Sequence, residues 1–157
     1  MAISLTTDPI LTAAVVADVA GNLDDADKLN FLINAASTRF LDYTGRVRIN
    51  SGSVVETVNL PPLKVPYVWL RATPVSEVTS IKLLHESAEK ETLSESDYGI
   101  TTETGRVYLP NHSASGPGWG YQLEFTYTGG WSAVPAAVQQ GAIELVRLMQ
   151  SRLDGQA

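Results

Sequence analysis

The stretch YQLEFTYTGGWSAVPAAVQQGAIELVRLM, residues 121–149, decides the fold. Tyr121, Leu123, Phe125 and Tyr127 alternate with Gln122, Glu124 and Thr126, a period of two that marks a strand with one buried and one wet face. Thr128-Gly129-Gly130-Trp131 interrupts the alternation. Pro135 then stands where a helix loses its first N–H without penalty. Val138, Ala142, Leu145 and Met149 follow on one helical face. A half-buried strand therefore hands over, through a glycine turn, to an amphipathic helix.

Upstream of this stretch the texture stays β as far back as residue 46. Residues 47–49 and 54–60 flank Asn50-Ser51-Gly52-Ser53, which predicts a hairpin. Pro61-Pro62 and Pro66 break the chain before Tyr67-Val68-Trp69-Leu70, where Trp69 reads as a core residue. A strand is expected over residues 78–84, and a charged, exposed connection over 86–95. Residues 98–101 and 106–109 bracket a hairpin turn at Glu103-Thr104-Gly105. Residues 111–120 form a Ser/Gly/Pro-rich loop carrying Trp119, and Trp131 reads as a plug against the last helix.

The first 45 residues predict two helices. Asp8 caps the first, with Pro9 at its first position; between residues 10 and 20 only Thr12 and Asp18 are polar. A helix apolar all round must be covered on more than one side. Gly21-Asn22 supplies a stop. Asp24 or Asp25 caps the second helix, whose apolar face is Leu29, Leu32, Ile33, Ala36, Phe40 and Tyr43, and Gly45 closes it in the left-handed conformation. The expected fold class is α+β, a single domain over residues 1–157. Two N-terminal helices (8–45) and a C-terminal helix (135–153) pack together on one side of an antiparallel β-sheet region (46–131) inserted between them.

Composition removes several chemistries. The chain has 157 residues and no cysteine, which excludes disulfides, thiolate nucleophiles and Cys-based zinc sites. His85 and His112 are its two histidines, so a three-His metal centre is impossible. No Gly-x-Ser-x-Gly elbow presents a nucleophile. Asp24-Asp25-x-Asp27 lacks the central glycine of a calcium loop and reads as helix capping. Gly116-Pro117-Gly118-Trp119-Gly120 has the wrong spacing for a dinucleotide fingerprint. No enzyme, metal or cofactor is expected. The apolar run over 10–20 is too short to span a bilayer and lacks a basic flank, so the expectation is a protein made in a cytosol with no membrane partner. A net charge of −6 with scattered Lys and Arg argues against gripping nucleic acid.

Several short motifs, in order, carry a resemblance. They are the helix end Tyr43-Thr44-Gly45-Arg46, Leu70-Arg71-x-x-Pro74-Val75, Val78-x-x-Ile81 and Asp97-Tyr98-Gly99-Ile100. Gly105-Arg106-Val107-Tyr108-Leu109, Phe125-Thr126-Tyr127-Thr128-Gly129-Gly130-Trp131 and Val134-Pro135 with the final helix complete the set. Across residues 24–153 the chain resembles the head–tail connector (adaptor, or head-completion) proteins of tailed bacteriophages. It departs from the leaner members at residues 46–66 and 111–120, and its tail after Leu153 is short.

The resemblance implies a structural virion protein at the head–tail interface. It would form a homo-oligomeric ring, usually a dodecamer, docked under the portal protein, extending the DNA channel, helping to retain packaged DNA and receiving the next connector or the tail. A stopper or tail-completion ring further down is the alternative; a glycan-binding module using the tryptophans is a third reading. In a ring, lumen-facing carboxylates would repel phosphates and let DNA pass without sequence-specific binding. Ring closure needs two different patches. The candidate interface residues are Val15, Val16 and Val19 on the first helix, Ser51 and Gly52 in the hairpin, Trp119 in the loop and Ile143 on the last helix. On this reading Val16→Asp blocks the ring and leaves the subunit folded.

Overall fold

Among the described residues, two long helices carry the α part of the computed structural model, α1 at Ala26–Thr44 and α2 at Ala136–Asp154. The structure describes residues 4–6, 8–12, 15–16, 26–60, 67–109 and 120–155. Where the sequence suggested one domain, the chain divides into two compact units: residues 1–50 with 131–157, and residues 51–130. The second is an insertion in the first.

In the helical unit, Leu29, Leu32, Ile33 and Ala36 of α1 meet Ala142, Ile143 and Val146 of α2 in one buried cluster. Gly45 ends α1 at φ +66°, a conformation that costs a residue without Cβ nothing. The expected first helix differs. Residues 4–6 and 8–12 are not helical, because α1 offers them side-chain partners instead. Asn34 accepts from Thr6 N and donates to Ser4 O, both at 3.0 Å. The buried Ser37 hydroxyl accepts from Ile10 N at 3.0 Å while donating to Ile33 O. Asp8 caps no helix: its carboxylate accepts from Ile49 N and Asn50 N, each at 2.6 Å. Helical geometry begins one turn later, where Val16 N donates to Thr12 O and Val15 N points at the Thr12 hydroxyl. The Asp24/Asp25 cap and the Gly21-Asn22 stop lie outside the described residues.

Asp8 also removes the predicted hairpin around Ser51-Gly52. Residues 49 and 50 spend their N–H groups on its carboxylate, and Asn50 makes only an isolated parallel bridge to Trp131. Trp131 packs at 6.0 Å on Phe40 of α1, and Arg46 lies 4.1 Å over its ring. It packs on the cluster that both long helices share, so the plug expected against the last helix also meets the first.

The sheet unit contains β1 (Gly52–Asn59), β2 (Tyr67–Trp69), β3 (Val75–His85), β4 (Ala88–Thr92), β5 (Gly99–Thr101), β6 (Arg106–Tyr108) and β7 (Tyr121–Gly129). They form a four-stranded sheet in the order β1-β7-β3-β4 and a three-stranded sheet in the order β2-β6-β5. All pairings are antiparallel. β7 is central, and its alternation has the predicted phase, with Leu123, Phe125 and Tyr127 buried. Each such side chain contributes about 1.5–3 kcal/mol relative to exposure. Val68 and Val107 of the smaller sheet join Ile81, Leu123 and Phe125 of the larger in one core. The expected connection over 86–95 instead contains β4, reached from β3 through Glu86 and Ser87, both at positive φ. That pair of left-handed residues makes a tight hairpin turn without glycine, which is why composition did not reveal it.

Candidate assembly surfaces

The one buried carboxylate among the described residues, Glu56, belongs to the architecture. It is 8% exposed on β1, where it receives the Tyr127 hydroxyl at 2.7 Å, Arg71 Nε at 3.1 Å and Arg71 N at 3.1 Å. Tyr127 in turn accepts from Ala72 N at 3.0 Å. Burial first, and then the bond to Glu56, push the Tyr127 phenol far above its ordinary value, so it holds its proton. The latch fastens the turn after β2 onto β1 and β7. Gly129 completes it, since a Cβ there would stand 2.1 Å from Ala72 O. His85 stacks on Tyr121 at 4.4 Å, and His112 lies outside the described residues. Among the described residues no group of three His, Asp or Glu side chains is placed to hold a metal.

What remains available is surface. Each long helix has an apolar face wider than the subunit covers. On α1, Phe40 is half-buried, Phe31 is 52% exposed and Tyr43 is 93% exposed. On α2 the buried residues are Ala142, Ile143 and Val146, one step round from the predicted stripe, and Val138, Leu145 and Met149 are left half-covered. These margins line a groove of about 670 Å³, with Arg39 and Asp42 as its charged residues. A second hollow of about 230 Å³ shares Arg39 and Leu145 and is bordered by Phe31 and Leu148. Apolar surface gathered this way marks a contact site.

A second surface is the outer face of the three-stranded sheet. Val68 and Val107 point inward, so Tyr67, Trp69, Arg106 and Tyr108 point out. Tyr67, Trp69 and Tyr108 are 44%, 53% and 49% exposed. Trp69 is thus a surface residue, where a core position had been expected. In Tyr67-Val68-Trp69-Leu70 every side chain is apolar, so the strand alone carries no phase. The phase was legible on the partner strand, where Arg106 and Tyr108 must share a face.

The sequence-predicted interface residues fare differently. Ser51 is exposed and Gly52 is half-buried, at the start of β1 opposite Gly129. Val16 is fully buried and Ile143 is 5% exposed, both within the helical core. The subunit itself uses them, and a charge at Val16 attacks its own fold. Val15 is half-buried against the same core. Val19 and Trp119 lie outside the described residues. Tyr43, Phe31, Trp69 and Tyr108 are exposed large side chains that the sequence reading did not select.

Among the described residues no helix is long and apolar enough to cross a membrane. No protein-family model matches the chain, and no curated protein matches it. Solved structures do. The chain aligns with one in the neck of a native gene transfer agent particle computed with C12 symmetry, at a TM-score of 0.67 and 19% identity, covering 96% of this chain and 83% of that one. The fold is that of a gene transfer agent neck chain. A chain in the neck of the empty particle, computed with C6 symmetry, gives a TM-score of 0.65 at 20% identity over 94% of this chain and 82% of that one. One in the virion of the native particle gives 0.65 at 20% identity over 93% and 81%.

Proposed function

We propose that this protein is a structural subunit of the neck of a tailed phage or phage-like particle, forming a homo-oligomeric ring under the portal. The observation that carries the reading is the fold shared over 96% of the chain with a chain from a neck computed with C12 symmetry. The apolar groove of the helical unit supports it, since a subunit that leaves Tyr43 and Leu148 uncovered is suited to life beside a neighbour. The finer role is that of an adaptor, docking on the portal after packaging, prolonging the DNA channel and helping to retain DNA.

The charge balance suits that role. Each subunit carries −6, so a ring of such chains forms an acidic collar. Screening limits the effect to about 8 Å at physiological salt, so only carboxylates at the lumen act on the passing duplex. They oppose phosphate binding and keep the channel slippery. The role we propose needs no catalysis; it works by shape.

The test adds purified protein to DNA-filled, portal-bearing capsids that lack it, and scores DNA retention and tail joining. Both should be restored in one step. Restoration that first requires another connector protein assigns the chain to the stopper ring; no binding to the capsid vertex under either condition overturns the neck reading. Tyr43→Ser should bind at least tenfold less well while melting like the wild type, because its side chain is 93% exposed.

A further inference from the structure

The outer face of the three-stranded sheet has the composition of an interface centre. Trp69 and Tyr67 meet edge to face with centroids 6.1 Å apart, and the Arg106 guanidinium lies 6.0 Å from the Tyr67 ring. Tyr108 sits opposite Tyr67 across the β2–β6 pair. Arg106 makes no ion pair with a carboxylate among the described residues. Tryptophan, tyrosine and arginine are the residues on which binding energy concentrates, and an arginine held among rings is ready to take a carboxylate once water is excluded.

The same unit exposes a carboxylate at the turn of another hairpin. The β3–β4 hairpin carries Glu86 at its turn and Glu89, Lys90 and Glu91 on β4, every residue of β4 being exposed. Lys82 neutralises Glu89 at 2.8 Å, while Glu86 makes no ion pair among the described residues. The hairpin is anchored at its turn, where Glu86 N donates to Gly120 O and His85 packs on Tyr121. A carboxylate at a hairpin turn and a cationic aromatic face on different strands of one subunit are two unlike patches, the requirement for a head-to-tail ring contact.

We infer that the Tyr67/Trp69/Arg106/Tyr108 face receives the turn of the β3–β4 hairpin of a second copy of this chain, with Glu86 directed to Arg106. This rests on the ring reading above and names a contact within it. Charge complementarity selects the occupant: Arg106 and Glu86 are exposed and of opposite sign, and neither makes an ion pair among the described residues. The contact explains three large aromatic side chains half-exposed on one flat face. It also supplies the sheet unit with a link to its neighbour separate from the helical groove.

The absence of cysteine makes the full chain its own blank for cross-linking. Arg106→Cys and Glu86→Cys are introduced singly and together, at exposed positions, and particles carrying each variant are treated with a short bis-maleimide. The double variant should give a ladder of covalent multimers. A mixture of the two single variants should stop at dimers, and each single variant alone should stay monomeric. Cross-linking of Arg106→Cys alone would mean a face meeting its own copy, and overturns the proposal. Particles that contain the double variant but yield no ladder overturn the contact and leave the ring reading standing; failure of the wild-type chain to enter particles removes both. As a second measurement, Arg106→Glu should lower incorporation by roughly tenfold or more, and Arg106→Glu with Glu86→Arg should recover most of it. A loss that the paired reversal does not recover, or retention of the wild type on immobilised glycan through Trp69, assigns the face to another ligand and refutes the contact.

Discussion

The helical unit and the sheet unit solve the burial problem in opposite ways. The helical unit is held by apolar packing, and polar bonds strap Ser4, Thr6 and Ile10 along α1 through Asn34 and Ser37. Its helices carry more apolar surface than they can share, and the excess lies open in a groove. The sheet unit is closed around a polar latch, with Glu56, Arg71 and Tyr127 joining strands distant in sequence. Its remaining apolar surface is a flat aromatic face. Nondirectional packing tolerates a missing neighbour, and a groove can wait to be filled. A buried carboxylate must find every partner within the subunit, so the latch has to be complete before assembly.

Breaking either unit at its centre should give the largest effects. Val16→Asp places an unpaired charge in the helical core and should cost about 4 kcal/mol or more. Hydrogen exchange should show α1 and α2 losing protection while β7 keeps it; equal loss in both units would erase the contrast drawn here. Gly129→Ala should act on the sheet unit alone, costing about 3 kcal/mol, because a Cβ 2.1 Å from Ala72 O forces backbone apart. Its thermal melting, followed by near-ultraviolet dichroism of the tyrosines, reads the loss directly.

Sharper tests address the latch itself. Tyr127→Phe removes the hydroxyl that serves Glu56 and Ala72 N, and should cost about 2 kcal/mol in urea unfolding. Its pH signature follows from sign. The folded phenol ionises above its ordinary value of 10.0, so its contribution is complete below that value and fades as pH rises toward the folded one. Absorbance of phenolate should therefore show one late tyrosine that ionises only as the protein unfolds, and Tyr127→Phe should lack that step. The smallest effect belongs to the exposed pair joining the ends of the long helices, Lys28 and Asp154 at 2.8 Å. Asp154→Asn should change stability by less than about 1 kcal/mol and lose even that in high salt.

Local chemistry made much of this fold readable in advance. The alternation of residues 121–127, the glycine closing α1, the hairpin at Gly105 and the start of the last helix after Pro135 all rest on neighbours within a few positions. The expected errors came where distant side chains outbid local preference. Asp8 reads as a cap until Ile49 and Asn50 take its oxygens. Val16 and Ile143 look like surplus apolar residues until α1 covers them, and Trp69 reads as core until its pairing with Arg106 turns it outward.

By itself, then, the order of residues determined the α+β class, the central strand and the long helices, because hydrophobic period and backbone conformation are properties of short segments. Tertiary structure alone decided which apolar residues the subunit keeps and which it offers. That choice depends on strand register and on how far two helices can cover each other, and neither quantity exists until the chain has folded.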